Sequence, residues 1–341
     1  MKLFEYINEK ELREMMDAGY INMQMHPSAP LYIYNYSKMC QIDKMWNDTT
    51  EKCRGLIVDS NDNIISRPFR KFYNYEEYED PSVIPDLPFD IYEKLDGSLG
   101  ILYWIDNTPY IATRGSFVSD QAMHATEIFH KKFRNVWSRL DKSKTYLFEI
   151  IYPEDLHVIT YKGIDNIFLL AVIDTETGNE EDINNYKSLF SVTEHYTCSD
   201  WREIRNLING DNREGFVVRF SNGFRIKLKY QEYMKLHFLK SGFSENKIFE
   251  YISNDETHYI DEVMSIFDEE HRMYYQSIID KFYKAFNSIA HICELEYRDD
   301  FETQKDAALY FNTCTYPAVL FAMRSGKDIR PIIWKIVDKN R

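Results

Sequence analysis

The feature that most constrains the fold of this 341-residue chain is a change of periodicity near residue 240. Up to that point short runs rich in β-branched and aromatic residues recur: GLIVD (55–59), FDIYEKL (89–95), LGILYWI (99–105), PYIATR (109–114), TYLFEII (145–151), NIFLLAVID (166–174), GFVVRF (215–220) and GFRIKLKY (223–230). Such runs fit a pleated, half-buried surface, and turn formers separate them, as in DNT at 106–108, TETG at 175–178 and SNG at 221–223. Beyond residue 240 apolar residues fall at helical spacing, with Ile260, Val263 and Phe267 on one stripe and Ile278, Phe282, Phe286, Ile289 and Ile292 on another. The pattern predicts an α+β domain over residues 1–240 and an all-α domain over 241–341, each long enough for a core of its own.

Composition then narrows the function. Apolar residues make up 44% and charged residues 28%, and no run approaches the roughly 18 apolar residues of a spanning helix. The amino terminus, MKLFEYINEKELREMM, is too densely charged for a secretory signal, so a cytoplasmic location without a membrane partner is expected. Cys40, Cys53, Cys198, Cys293 and Cys314 are scattered and never form CxxC, which favours neither a disulfide framework nor a zinc site. A formal charge of -14 argues against coating nucleic acid non-specifically. Basic residues nevertheless cluster at Arg67, Arg70 and Lys71, and again at Arg213, Arg219, Arg225, Lys227, Lys229 and Lys235. A basic cleft on an acidic body suits a nucleotide or a nucleic-acid end.

The chemistry is concentrated in Glu93-Lys94-Leu95-Asp96-Gly97-Ser98, a lysine leaving a predicted strand with an acid and a glycine just after it. Alone, this is equally a solvated lysine before an Asp-Gly turn. Three further elements follow in order. Glu149 sits inside the apolar run LFEII, where an unpaired carboxylate is costly to bury. Glu214-Gly215 opens a strand, and Lys227 and Lys229 occupy alternate positions that send both side chains to one face, with Ile226, Leu228 and Tyr230 on the other.

In this order the elements resemble the motifs of the covalent nucleotidyltransferases, the superfamily of DNA ligases, RNA ligases and capping enzymes. Arg54-Gly55 in CRGLIVD, Lys71-Phe72-Tyr73-Asn74, Arg114-Gly115-Ser116, and Tyr233 with Leu236-His237 further resemble the RNA ligase family typified by the first RNA ligase of phage T4. The likeness spans roughly residues 35–240. Arg114 stands where that family usually has lysine, and Tyr73 where it usually has phenylalanine; the first keeps the charge but alters its geometry.

The resemblance implies a nucleotidyltransferase (ATP-grasp-like ligase) domain with two antiparallel sheets around an ATP cleft, using ATP and Mg²⁺, with Mn²⁺ as a substitute. Lys94 would take AMP from ATP, AMP would pass to an RNA 5′-phosphate, and a 3′-hydroxyl would displace it. Asp96 would orient the nucleophile loop, while Lys227 and Lys229 would hold the α-phosphate and lower the pKa of Lys94. Arg54 would meet the ribose or the incoming 5′-phosphate, and Lys71 the triphosphate tail. Tyr73, Gly97, Arg114 and Tyr233 would also belong to the nucleotide site. Glu149 would contact the ribose or metal-bound water, Glu214 the water shell of the metal, and Phe168 would stack on adenine, although an aromatic in such a strand also reads as core. His26, His157 and His237 lack metal-ligand spacing and read as structural or peripheral. The expected partner is RNA with 5′-phosphate and 3′-hydroxyl ends, a cleaved tRNA included, bound by a monomer whose helical domain selects the substrate. The rival readings are a DNA ligase, a capping-type nucleotidyltransferase, and an end-binding protein without turnover.

Overall fold

The computed structural model of the chain describes residues 1–155, 157–264, 267 and 269–339. It divides into two compact units, Met1–Met234 and Lys235–Arg341.

The first unit carries three sheets where two were expected. Strands Phe89–Lys94, Gly215–Phe220 and Arg225–Lys229 lie side by side and antiparallel, flanked by the two-residue strands His195–Tyr196 and Tyr73–Asn74, the latter running parallel to its neighbour. A second, wholly antiparallel sheet runs in the order Asn166–Asp174, Lys144–Ile151, Ser98–Ile105, Thr108–Ala112. The additional sheet is amino-terminal and runs in chain order through Ile21–Met25, Leu31–Tyr36, Arg54–Asp59 and Ile64–Ser66. Its first strand, INMQM, alternates apolar and polar residues, yet only Ile21 is buried, and Met23 and Met25 stay exposed.

The sheet that contains Lys144–Ile151 is buried on both faces. Ile101, Leu147 and Ala171 pack toward Ile33 and Ile57 of the amino-terminal sheet. On the other face Leu102, Phe148, Leu169 and Val172 meet Ala125, Ile128 and Phe129 of helix Asp120–Lys132. Ser119 caps that helix by accepting from the Ala122 N–H, and His130, Lys131 and Lys132 fill its last turn, where cations suit the helix dipole.

In the remaining sheet, Ile91, Phe216, Val218, Phe220, Ile226 and Leu228 are buried with Trp201 and Ile204 behind it. Full burial of such side chains is worth roughly 1.5–3 kcal/mol each. Strand alternation then obliges Val217, Arg225, Lys227 and Lys229 to face the opposite way, into a cavity.

The second unit is helical, with Glu245–Ser253, Thr257–Met264, Glu269–Glu296, Gln304–Phe311, Pro317–Arg324 and Arg330–Lys339 around one core. Phe249 packs against Phe282 and Trp334, at ring-centroid separations of 5.2 and 5.8 Å. On the long helix the deepest residues are Tyr275, Ile279, Phe282, Ile289 and Cys293. That stripe is rotated slightly from the one read off the sequence, with Ile279 and Cys293 replacing Ile278 and Ile292. Among the described residues, no helix is long and apolar enough to cross a membrane, and no group of three His, Cys, Asp or Glu side chains is placed to hold a metal. All five cysteines are free thiols.

Candidate active site

A cavity of about 560 Å³ opens in the first unit, and Lys94 at the end of its strand lines it. Gly97 makes the turn after Lys94 possible. A Cβ there would lie 2.5 Å from the Ile150 carbonyl oxygen, and only that close approach lets the Gly97 N–H donate to Glu149 Oε1 at 3.0 Å. Asp96 braces the same loop from outside the cavity lining. Its Oδ2 accepts from the N–H groups of Val158 (2.8 Å) and Ile159 (3.1 Å), and its Oδ1 accepts from the Tyr233 hydroxyl (2.9 Å). The Asp96 N–H donates in turn to the Tyr161 hydroxyl at 2.6 Å.

Lys94 Nζ donates to Glu214 Oε2 at 2.8 Å, and Lys229 Nζ lies 2.8 Å from Glu214 Oε1. The Glu214 side chain is only 2% exposed, so it needs both partners. This clasp sets the titration of Lys94 in the ligand-free chain. Burial alone would lower the Lys94 pKa, but Glu214 first, and then Glu149 and Asp96, hold the ammonium above its usual range. Glu149, buried beside these groups, is pushed up to about 7 by burial first, with Glu214 adding to the rise and Lys94 opposing it.

Elsewhere the cavity wall holds both signs: Glu180 pairs with Arg219 and Arg225, and Glu93 with Arg213, whereas Arg54, Arg114 and Lys227 make no salt bridge among the described residues. Burial first, then Arg54, Lys71, Lys94 and Lys229 as like charges, drive the Lys227 ammonium well below its ordinary pKa. Its Nζ sits 4.8 Å from the Phe72 ring centroid, and Arg54 stacks on the same ring at 5.6 Å. Burial, with Arg114 adding to it, lowers Arg54 as well, and Arg54 Nη1 is buried without a hydrogen-bond partner. Lys71 is lowered by burial and lies 4.4 Å from the Tyr73 ring and 5.0 Å from that of Trp46. The Tyr73 hydroxyl, the departure from phenylalanine, donates to Glu51 at 2.6 Å and leaves the ring face to Lys71. Arg114 stacks on Tyr36 at 4.6 Å and donates to its hydroxyl. Arg54, Lys71, Arg114 and Lys227 thus form a cluster of four cations, none of them in a salt bridge among the described residues, and such a cluster is chemically suited to an anion.

Of the residues singled out in the sequence, Arg54, Lys94, Gly97, Arg114, Glu149, Lys227 and Lys229 line the cavity. Asp96, Glu214 and Tyr233 stand behind it as partners of those that do. Lys71 and Tyr73 lie beside the cations without lining it, and Phe168 does not line it either. Leu170, two residues on and on the same face as Phe168 and its partner Glu149, lines the cavity from that strand. His157, read as peripheral, bridges two acids of the loop, with Nε2 3.0 Å from Asp155 Oδ2 and Nδ1 3.7 Å from Asp96 Oδ1. Asp155 in turn accepts from Ser98 Oγ at 3.0 Å. Asn35, which also lines the cavity, was not singled out; its one sequence signal is a lone amide in the tyrosine-rich run LYIYNY.

The profile of the RNA ligase family typified by phage T4 RNA ligase 1 matches residues 52–233, more than half of the chain. The RNA ligase of Rhodothermus phage RM378 is 23% identical over 294 residues, covering 64% of this chain and 66% of that protein. A putative bifunctional polynucleotide kinase/RNA ligase of Autographa californica nuclear polyhedrosis virus is 26% identical over 258 residues, covering 66% of this chain and 36% of that protein. The chain thus spans just under two thirds of the first relative and little over one third of the second. Among solved structures, a putative ATP-dependent DNA ligase from Aquifex aeolicus overlies it with a TM-score of 0.47 at 15% identity, covering 89% of this chain and 86% of that one.

Proposed function

The chain belongs to the RNA ligase family, and from that premise we propose that it is an ATP-dependent RNA ligase that seals 5′-phosphate and 3′-hydroxyl ends through a lysyl-AMP intermediate on Lys94. The observation that carries this reading is the pairing of one clasped lysine, Lys94, with a neighbouring group of cations, Arg54, Lys71, Arg114 and Lys227, that make no salt bridge among the described residues. A triphosphate supplies the negative charge that Arg54, Lys71, Arg114 and Lys227 lack, and it would set its α-phosphorus before Lys94.

In the first step, the neutral Lys94 Nζ attacks the α-phosphorus of ATP. A P–N bond forms, the bond to the bridging oxygen breaks, and pyrophosphate leaves with that oxygen and its electron pair. Glu214, already hydrogen-bonded to the ammonium, is placed to take its proton. Lys227 and Lys229 balance the charge that gathers on the phosphoryl oxygens. AMP then passes to the 5′-phosphate of RNA, restoring Lys94, and the 3′-hydroxyl displaces AMP to form the phosphodiester. Asp96, Tyr233 and Tyr161 act as positioning residues for the nucleophile loop.

The donors suit a divalent cation of the Mg²⁺ class only in part. Glu149 and Glu214 are the available carboxylates, fewer than a cage made by the protein alone requires, so phosphate oxygens and water would complete the shell. Such an ion would add positive charge at the phosphates. The helical unit is assigned to selecting the RNA, with a cleaved tRNA among its substrates.

The test is incubation with Mg²⁺ and ATP labelled at the α-phosphate, followed by denaturation, with Lys94→Ala alongside. Label on the native chain alone, and then sealing of RNA rather than DNA ends, is the expected result. No label with ATP or GTP, on protein freed of bound AMP, would overturn the assignment in favour of end binding without turnover.

A further inference from the structure

The short helix Asp48–Lys52 is tied to the segment before Tyr73 through the backbone, where the Lys71 N–H donates to the Glu51 carbonyl oxygen at 2.8 Å. A helix leaves its last carbonyls without partners of its own, and Lys71 supplies one. The contact sets an acid, Glu51, alongside a cation that is useful to an anion only while no acid holds it. Both Glu51 oxygens already have donors. Oε1 accepts from the Tyr73 hydroxyl at 2.6 Å and Oε2 from Arg70 Nη2 at 2.7 Å. The other acid of the helix is committed as well: Asp48 Oδ1 lies 3.1 Å from Arg70 Nη2, and Asp48 Oδ2 lies 2.7 Å from Lys52 Nζ.

Tyr73 stands between the two charges. The Lys71 ammonium covers its ring at 4.4 Å, while the hydroxyl at the ring edge meets Glu51. Burial, the largest influence, lowers the Lys71 pKa; Glu77 and Glu51 oppose it, and Arg54 and Arg114 add to it, so the charge of both acids reaches Lys71. Glu77 is held elsewhere, since its Oε2 accepts from the Asn74 N–H at 2.6 Å. Burial first, and then Glu51, push the Tyr73 hydroxyl above its ordinary pKa, so near neutral pH it remains a donor. Without that hydroxyl, a partly buried carboxylate oxygen would lose its partner, and the ammonium on the face of the same ring is a donor in no salt bridge.

We propose that Tyr73 is a positioning residue whose hydroxyl, by occupying Glu51, keeps Lys71 out of an ion pair and free to meet a polyphosphate tail. This rests on the reading of the cation cluster as part of an ATP site. A lysine already in a salt bridge must give up its carboxylate before it can meet a phosphate, and that exchange cancels most of the attraction.

The full-length chain is titrated calorimetrically, with Mg²⁺ present, against α,β-methylene-ATP, whose carbon bridge prevents transfer of AMP, and against AMP, which lacks the tail. Tyr73→Phe should weaken the analogue about tenfold, the loss of one charge-assisted contact, and change AMP by less than about twofold. Adding Glu51→Gln to Tyr73→Phe should restore the analogue to within about threefold of the native chain, because no acid then competes for Lys71. A hydroxyl that only supports the fold would leave the double variant as weak as the single one. That result, native affinity in Tyr73→Phe, or equal losses for AMP and the analogue overturns the proposal while nucleotide binding itself stands. Should Tyr73→Phe not fold, Glu51→Gln alone carries the test: it should bind the analogue at least as tightly as the native chain, and weaker binding overturns the proposal. Failure of the native chain to bind either nucleotide overturns the ligase reading, and this proposal with it.

Discussion

Lys94 Nζ lies 2.8 Å from Glu214 Oε2, and the other oxygen of that carboxylate lies 2.8 Å from Lys229 Nζ. Lys94 is therefore held as an ammonium in an ion pair with a buried carboxylate, and in the proposed reaction it would stay unreactive until that proton leaves. Glu214→Gln separates the two effects of the carboxylate. Removing its charge lowers the Lys94 pKa, so the rise of adenylylation rate with pH should begin at lower pH than in the native chain. Removing the proton acceptor should depress the plateau by about 100-fold or more. Single-turnover labelling across the pH range measures both, and a slow variant whose profile has not moved would show that Glu214 does not govern the Lys94 proton.

Glu149 has the opposite problem. Its carboxyl is pushed up to about 7 from an ordinary 4.5, so the fold favours the neutral form. Below the unfolded pKa both states hold the proton and nothing is lost. As pH rises toward 7 the unfolded chain ionises first, and stability declines until the folded carboxyl ionises too. Glu149→Gln keeps an acceptor for the Gly97 N–H without the charge. It should stabilise the protein by roughly 3 kcal/mol at alkaline pH and by little near pH 4.5. Urea unfolding at the two pH values tests this, and an equal difference at both would refute it.

The parts of the site that the sequence reveals are those whose spacing is local. Lys94, Asp96 and Gly97 lie within one turn, and the faces of Lys227 and Lys229 follow from strand alternation, which the burial of Ile226 and Leu228 enforces. Glu149 is visible because a carboxylate interrupts an apolar run. His157 and Tyr161 are invisible for the converse reason: they reach Asp96 across more than sixty residues of chain, through a loop with no periodicity. Phe168 and Leu170 share the face of Glu149, and only Leu170 lines the cavity, a difference of position along the strand that alternation cannot show. Asn35 is a lone amide in the run LYIYNY, with no motif around it to mark it.

Lys227 is a place where function opposes stability. Its ammonium is buried among other cations with no carboxylate in salt-bridge range among the described residues, so its folded pKa is far below the unfolded value. The protein carries that penalty at neutral pH, and it is relieved as pH rises from the folded pKa toward 10.5. Lys227→Met should therefore stabilise the ligand-free chain by about 1–3 kcal/mol at neutral pH. The same change should weaken ATP binding by at least about tenfold, since a charge-assisted contact is lost. Thermal unfolding and calorimetry on one preparation would check both, and destabilisation with unchanged affinity would show that Lys227 is structural.

Tyr34 pairs with Leu56 and Asn35 with Arg54, which leaves Gly55 as the extra residue of a bulge. At φ +91° an L side chain is strained, and a Cβ would also lie 2.3 Å from Ile101 Cδ1 and 3.2 Å from the Arg114 backbone. Gly223 has a similar φ of +84° with nothing within 4 Å, so it isolates the backbone strain from the collision. Gly223→Ala should cost about 1 kcal/mol, and Gly55→Ala about 1–2 kcal/mol more, because Ile101 must move within a fully buried layer. Gly55→Ala should also weaken ATP binding while Gly223→Ala should not, since the added methyl presses on the strand that aims Arg54 and on the backbone of Arg114. Urea midpoints and calorimetry for the two variants decide it. Equal stability losses would mean that Ile101 gives way freely, and unchanged affinity in Gly55→Ala would mean that the bulge does not set the aim of Arg54.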